Sequence, residues 1–377
     1  MKLFRSILAT VFCAGLLSSA AIGAPKSEVL FIASKAGVGS YRMDLQTGTL
    51  TNLSVASGAL NPQFLAIHPS HRFLFVLNGA MIGGKKTGVV SSFSIEPKTG
   101  VPTLINQQPS PGGSTHLDVD HAGKNVLVAN YGGGSVSVFP IGKDGALAAS
   151  SAFIQHKGSS VNPQRQAGPH AHVITTDPAD HFAFTCDLGL DQVLVYKLDS
   201  AKGALTPNDP AFASLKPGSG PRHMAFHPSG KFVYVINELD STMTAFSYDP
   251  KRGVLTQVQN VSTLPKDFVG KNFPAEVAVH PNGKFVYGSN RGHDSIVVFS
   301  VDQKTGQLTL LDHASTKGKT PRHFEIDPTG QYLLAENQDS GNVVVFRIDS
   351  KTGGLTATGT TIEVEAPQCV KFLPANF

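Results

Sequence analysis

Short apolar segments recur along the chain, and each is bounded by a turn rich in glycine, proline, aspartate or asparagine. Residues 221–237 show the pattern best, with an apolar segment, the turn sequence His-Pro-Ser-Gly-Lys and a second apolar segment. Segments of this length between turn residues are typical of β-strands joined by tight hairpins. The pattern therefore predicts an all-β protein.

The hairpin repeats in a fixed register. Counted from His227, the equivalent positions are His68, Asp120, Asp177, His280 and Asp327. Ten residues after these six positions stand Asn78, Asn130, Asp187, Asn237, Asn290 and Asn337. A second turn, approximately Asp-x-x-x-Gly-x-Leu-Thr, has its glycine at positions 48, 100, 145, 203, 253, 306 and 353. Repeats of about 45 to 58 residues with four short strands each are typical of β-propeller blades.

The seventh repeat is split between the two ends of the chain. Residues 367–372 are typical of a first strand, and the matching second strand is Val29–Ser34. We therefore expect a seven-bladed β-propeller whose ring is closed by the C-terminal strand joining the N-terminal strands. A solenoid is the alternative, but an open array needs polar capping repeats at its ends, and the sequence contains none.

Residues 1–24 have the layout of a secretory signal peptide. Lys2 and Arg5 precede an apolar stretch that is too short to span a bilayer, and mostly small residues follow it. We expect cleavage after Ala21 or Ala24 and a periplasmic or secreted protein that does not insert into a membrane after cleavage.

Composition is uniform over residues 25–377, so we expect one propeller domain there. The net charge of +4 comes from lysines and arginines scattered through turns, and no basic stripe indicates nucleic-acid binding. Cys186 and Cys369 fall in well-separated blades, and we expect two buried thiols. A lipoprotein anchor on Cys13 is disfavoured, because bulky Phe12 stands where a small residue is needed.

The register places two residues of each blade at the same rim of the central channel, because the first strand starts at this rim and the second strand returns to it. At the start of the first strands stand Gln63, Thr115, His172, Arg222, Ala275, Arg322 and Gln368. At the end of the second strands stand Lys35, Gly79, Tyr131, Leu188, Glu238, Arg291 and Gln338. The polar residues are therefore unevenly distributed around the rim.

Four of these residues crowd neighbouring blades, although blade construction would favour similar residues in every blade. An acid/base pair beside two guanidinium groups can activate water and stabilise an anion. We predict that the catalytic residues are His172, Arg222, Glu238 and Arg291, and that the substrate-binding residues are His170, Arg322, Gln338 and Tyr131. We expect both catalytic arginines at a solvent-filled channel mouth, so their replacement should little affect folding.

Structural roles are the alternative for several of these residues. Arg222 and Glu238 could form an ion pair that only ties two strands together, and His172 could only bond backbone. The shared aspartate, asparagine and histidine positions of the register are expected to bond turns and neighbouring blades. The histidines one residue after the rim position are expected to point away from the channel and pack between blades; they are His116, His223 and His323.

Other catalytic chemistries have weaker support. The sequence has no Gly-x-Ser-x-Gly elbow, and Cys186 lies inside an apolar strand. His170 and His172 offer two imidazoles to a metal ion, but the neighbouring arginines repel cations. We therefore predict neither a metal ion nor another cofactor.

Three motifs carry a family resemblance, and they are Gly220–Pro228, Tyr234–Glu238 and Ser289–Gly292. With them, nearly the whole mature chain resembles the lactonase family of seven-bladed propellers, which includes 6-phosphogluconolactonases and fungal carboxymuconate-cyclising enzymes. The resemblance implies a carboxylic ester hydrolase. It also implies that His172, Arg222, Glu238 and Arg291 match the active-site positions proposed for the family.

The predicted leader bears on the substrate. The best-known substrate of the family is a phosphorylated sugar lactone of the cytoplasm, whereas residues 1–24 direct export. We therefore expect a small-molecule substrate that is an unphosphorylated aldonolactone or another carboxylated lactone. The alternative is a non-catalytic propeller that binds a protein or glycan partner through its rim, and the uneven polar ring disfavours it.

Overall fold

A computed structural model describes residues 26–82, 85–97, 99–111 and 113–373. These residues form 28 β-strands in seven four-stranded antiparallel sheets, and this part of the chain contains no helix that is long and apolar enough to cross a membrane. The predicted leader and Cys13 lie outside the described residues.

Each sheet is one blade, and its strands follow one another in the chain except in blade 1. Blade 1 contains β1 (Ser27–Ser34), β2 (Gly37–Asp44), β3 (Leu50–Ala56) and β28 (Cys369–Leu373). Blade 2 contains β4 (Leu60–Ile67), β5 (Phe73–Ile82), β6 (Lys85–Ile95) and β7 (Pro102–Pro109). Blade 3 contains β8 (Ser114–Val119), β9 (Asn125–Asn130), β10 (Ser135–Pro140) and β11 (Ala152–Gln155). Blade 4 contains β12 (Ala171–Thr176), β13 (Phe182–Asp187), β14 (Gln192–Asp199) and β15 (Ala204–Ser214). Blade 5 contains β16 (Pro221–Phe226), β17 (Phe232–Asn237), β18 (Thr242–Asp249) and β19 (Val254–Ser262). Blade 6 contains β20 (Phe273–Val279), β21 (Phe285–Arg291), β22 (Ser295–Val301) and β23 (Leu308–Ser315). Blade 7 contains β24 (Pro321–Ile326), β25 (Tyr332–Asn337), β26 (Asn342–Ile348) and β27 (Leu355–Glu363).

The ring closes as the split repeat predicts. Strand β28 pairs antiparallel with β1, from Val29 opposite Leu373 to Ala33 opposite Cys369. The innermost strands of the blades contact one another around a complete circuit, including β28 with β24 on one side and with β4 on the other. The seven-bladed β-propeller is therefore confirmed.

Blades pack face to face, so the middle strands are buried on both sides. Every residue of β9 and of β17 is buried. The turn glycines fit against the neighbouring blade: a Cβ on Gly253, whose φ is +66°, would lie 2.5 Å from the ring of Phe182. Glycine is needed there both for the left-handed backbone and for the close approach.

Register histidines tie neighbouring blades together, as predicted. The Nε2 atoms of His68, His227 and His280 each lie 2.8 Å from a backbone oxygen in the turn of the next blade. Cys186 and Cys369 are buried free thiols, which confirms that prediction too.

The expectation that three histidines pack between blades is wrong. His116, His223 and His323 lie in the channel, where their rings meet Phe64. Ring centroids are 4.1 Å apart for Phe64 and His116, 5.5 Å for Phe64 and His323, and 5.3 Å for His116 and His223. These four side chains, called the aromatic plug below, separate the rim from a cavity of about 500 Å³ in the lower half of the channel.

A β-bulge explains why these histidines face the channel. In blade 5, Pro221 pairs with Asn237 while His223 already pairs with Ile236, so Arg222 is an extra residue in the strand. A bulge interrupts the alternation of side chains. Arg222 and His223 consequently both line the channel, and register shifts occur at the start of the first strand in five other blades as well.

Candidate active site

The four predicted catalytic residues come together at one rim of the channel. His172 lies in β12, Arg222 in β16 and Arg291 at the end of β21, while Glu238 directly follows β17. The Arg291 Nη2 atom donates to Glu238 Oε2 at 2.7 Å. Arg222 Nε lies 3.2 Å from the same oxygen without making a hydrogen bond to it, and Arg222 Nη1 donates to the backbone oxygen of Ala275 at 2.5 Å.

A third guanidinium, which the sequence analysis missed, completes the surroundings of Glu238. Arg165 Nη2 donates to Glu238 Oε1 at 2.5 Å and to the Tyr131 hydroxyl at 3.3 Å. Arg165 lies outside the blade register, in the loop of residues 156–170 between β11 and β12. The length of that loop was the available signal, because long ordered loops often carry function.

Buried contacts hold the loop of Arg165 in place. The Gln166 side chain is fully buried and donates to the Leu188 backbone oxygen at 2.8 Å. The Ser160 hydroxyl donates to Asp191 at 2.6 Å, and the buried His156 ring lies 2.6 Å from Asp187. These bonds fix both the start of the loop and the segment that carries Arg165.

Glu238 is ionised although it is only 5% exposed. Burial alone would raise the pKa of its carboxyl group, but the positive charges of Arg291, Arg222 and Arg165 outweigh burial and hold that pKa at about 2. Opposite charges at this distance favour the charged form. The three arginines leave two positive charges in excess over the one carboxylate.

His172 is the neutral partner in the cluster. Its side chain is buried, and burial together with the charge of Arg222 lowers the pKa of the imidazole well below its usual value. Its Nδ1 atom has no hydrogen-bond partner in the part of the chain that the structure describes. An unpaired buried polar atom is rare, and this nitrogen would gain a partner if a water molecule or a substrate group reached it.

The predicted substrate-binding residues divide into two groups. Tyr131 and His170 stack at 4.6 Å between ring centroids, and Tyr131 also contacts the His172 ring edge-on at 5.3 Å. Arg322 borders a narrow constriction that His172 and Arg222 also line. Gln338 lines an adjoining cleft of about 390 Å³ together with Arg322.

The expectation of a solvent-filled position is wrong for Arg222. Its residue exposure is only 2%, and the Arg291 side chain retains only 15% exposure. The bulge directs Arg222 into the channel wall, where Ala275 and Glu238 enclose it. The ion pair considered as the structural alternative therefore exists, so the replacement of Arg222 should affect stability as well as any activity.

Metal ligation has no support from the arrangement of side chains. Within the described ranges, no three His, Cys, Asp or Glu side chains are grouped so that they could hold a metal ion. The Nδ1 atom of His170 lies 3.0 Å from the Tyr131 backbone oxygen, so this ring nitrogen is engaged within the protein.

The chain matches the family model described as lactonase, 7-bladed β-propeller, over residues 20–372. It is 37% identical over 338 residues to a 6-phosphogluconolactonase of Bacillus subtilis, and the match covers 89% of this chain and 94% of that protein. Among solved structures it is similar to a putative 6-phosphogluconolactonase of Bacteroides fragilis, with 32% identity, a TM-score of 0.85 and coverage of 92% of this chain and 98% of the other. It is also similar to a periplasmic gluconolactonase of Pseudomonas aeruginosa, with 32% identity, a TM-score of 0.86 and coverage of 93% and 99%.

Proposed function

Because the chain belongs to the lactonase family of seven-bladed β-propellers, we propose that it hydrolyses a sugar lactone or a related carboxylated lactone at the channel rim beside Glu238. The observation that carries this proposal is the grouping of one buried carboxylate, three guanidinium groups and a neutral imidazole. Blade construction requires none of these residue types, whereas ester hydrolysis uses all of them.

His172 is the general base in this proposal. Its imidazole is neutral and has a free nitrogen, so it can take a proton from water as the water oxygen attacks the lactone carbonyl. Glu238 is ionised too, but three arginines already surround its two oxygens, so His172 is the group with an unpaired nitrogen. The role of Glu238 is to hold the guanidinium groups in place.

Arg222 and Arg291 stabilise the negative charge that develops on the carbonyl oxygen. Guanidinium groups fixed in a buried site stabilise an oxyanion without reorganising during the reaction. When the tetrahedral intermediate collapses, the bond between the carbonyl carbon and the ring oxygen breaks. The imidazolium of His172 then returns its proton to the leaving alkoxide, so that a hydroxy acid is released.

The excess positive charge suits a substrate or product that carries a carboxylate. Export of the protein is also part of this proposal. It is supported by the predicted leader of residues 1–24 and by the similarity to a periplasmic gluconolactonase. A lactone outside the inner membrane, such as an unphosphorylated aldonolactone, is the substrate that agrees with both observations.

The proposal is tested by assaying the mature protein against a panel of sugar lactones with a pH indicator. We expect acid release from at least one aldonolactone, and we expect His172→Asn to lower kcat/KM by on the order of 10²-fold or more. The matched control is His181→Asn, because His181 is exposed and precedes β13, outside the rim. No turnover of any lactone would contradict the proposal and favour the non-catalytic propeller.

A further inference from the structure

The rim has a second polar region next to the Glu238 cluster. It is the cleft of about 390 Å³ on the side of blades 7, 1 and 2, called the amide cleft below. Four carboxamide side chains line it, together with Arg322: those of Asn61, Gln63, Gln338 and Gln368. The two regions differ in chemistry, because charged groups dominate the first and neutral amides the second.

The four amides are free to bind a ligand. Within the described part of the chain none of their side chains makes a hydrogen bond, although the backbone amides of Gln338 and Gln368 are anchored to Thr320 and Ala33 at 2.9 Å. Asn61 and Gln63 are exposed, and Gln338 and Gln368 are half-buried. The cleft therefore presents amide donors and acceptors that are open to a ligand.

Only two of the residues that line the cleft are charged, and they are Lys35 and Arg322. The Lys35 ammonium is paired with Glu365 at 2.5 Å, so it is neutralised. Arg322 forms neither a hydrogen bond nor an ion pair within the described residues, and it stands where the cleft meets the constriction beside His172. Arg322 is thus a cationic group at the junction that forms no ion pair with a described carboxylate.

The amide cleft opens directly onto the reaction site. Gln63, Arg322 and Gln368 line both the cleft and the constriction that contains His172 and Arg222. In the other direction, Asn61 and Gln63 also border a pocket of about 180 Å³ with a mixed polar and apolar lining. A ligand that reacts beside Glu238 can therefore extend across the rim.

Carboxamides suit hydroxyl groups, because each amide can both donate and accept, as each hydroxyl can. A lactone ring held at the Glu238 cluster would leave the cleft to a further polyhydroxylated unit. We propose that the amide cleft is a subsite for a sugar linked to the lactone ring, so that the preferred substrates are lactones of glycosyl-aldonic acids. This inference rests on the proposed lactonase function and adds the class of substrate.

The test compares kcat/KM for gluconolactone with that for cellobionolactone, which carries one additional glucose. We expect the wild-type protein to prefer cellobionolactone by about tenfold, because the additional glucose can form hydrogen bonds in the cleft that gluconolactone cannot form. Gln338→Ala and Gln63→Ala should each reduce that preference several-fold. Gln331→Ala is the matched control, because Gln331 is exposed in the turn before β25, at the opposite rim. This variant should leave kcat/KM unchanged for both lactones.

The outcomes separate the subsite from the activity. Hydrolysis of gluconolactone without preference for cellobionolactone, or equal losses for both substrates in Gln338→Ala, would overturn the subsite and leave the proposed function standing. If neither lactone is hydrolysed, the proposed function fails, and titration with cellobiose tests the cleft alone. Binding of cellobiose that weakens in Gln338→Ala supports the subsite, whereas no binding overturns it.

Discussion

Replacement of Glu238 by glutamine should destabilise the protein, because one carboxylate balances three guanidinium groups. Glutamine keeps the shape of the side chain and removes its charge. Arg222, with only 2% of its surface exposed, would then be buried without a counter-ion, while Arg165 and Arg291 would repel it at short range. An uncompensated buried charge is among the most destabilising changes that a single substitution can make.

The expected loss of stability follows from the pKa of Glu238. A decrease from 4.5 to about 2 corresponds to about 3 kcal/mol in favour of the folded state, because one pKa unit is worth about 1.4 kcal/mol. Breaking a buried ion pair from one side costs about 3 to 5 kcal/mol in other proteins, which agrees. Since the pKa is lowered by folding, this stabilisation is present above pH 4.5 and is lost as the pH falls toward about 2.

Urea denaturation of both proteins at pH 7 and at pH 3 measures this effect. Glu238→Gln should be less stable by about 3 kcal/mol at pH 7, and the difference should narrow at pH 3. The control is Glu365→Gln, which removes an exposed ion pair with Lys35 and should change stability little. A difference that is absent, or that is the same at both pH values, would refute the reasoning.

The same variant also separates structure from catalysis. If lactone hydrolysis by Glu238→Gln persists under conditions where the variant remains folded, the cluster only holds blades together. The assignment of Glu238 as the residue that positions the arginines for the reaction would then be wrong.

Three further predictions concern the site, the ring and the leader. Arg222→Ala and Arg291→Ala should each lower kcat/KM by on the order of 10²-fold, whereas Arg347→Ala, outside the channel, should not; equal effects would argue against oxyanion stabilisation. Deletion of residues 365–377 should leave an unclosed ring that aggregates, and a monomeric variant with an unchanged Tm would contradict closure by β28. N-terminal sequencing of the native protein should find that the mature chain begins at Ile22 or Pro25. An intact initiator methionine would contradict export.

The repeat register made much of the site predictable. Because every blade places equivalent residues at the same rim, alignment of the repeats was enough to bring His172, Arg222, Glu238 and Arg291 together. The closing strand was predictable for the same reason. The N-terminal repeat lacks a first strand, and the C-terminal end of the chain carries an additional first strand that completes it.

Two features of the site could not be predicted from the repeat register. Arg165 belongs to a loop whose path depends on buried bonds from Gln166 and Ser160 to blade 4, and no repeat encodes such a path. The direction of His223 depends on a bulge, which is a property of strand pairing and not of residue type. The strict alternation assumed for a strand therefore placed this side chain on the wrong side.

The aromatic plug makes the proposed active site a blind pocket. Phe64 and the three histidines fill the channel below the Glu238 cluster, so nothing that enters from the rim can pass through to the other face. Substrate and product must consequently use the same opening. In the proposed reaction, the released hydroxy acid would meet the excess positive charge of the arginines as it leaves, and its departure would compete with the arrival of the next substrate molecule.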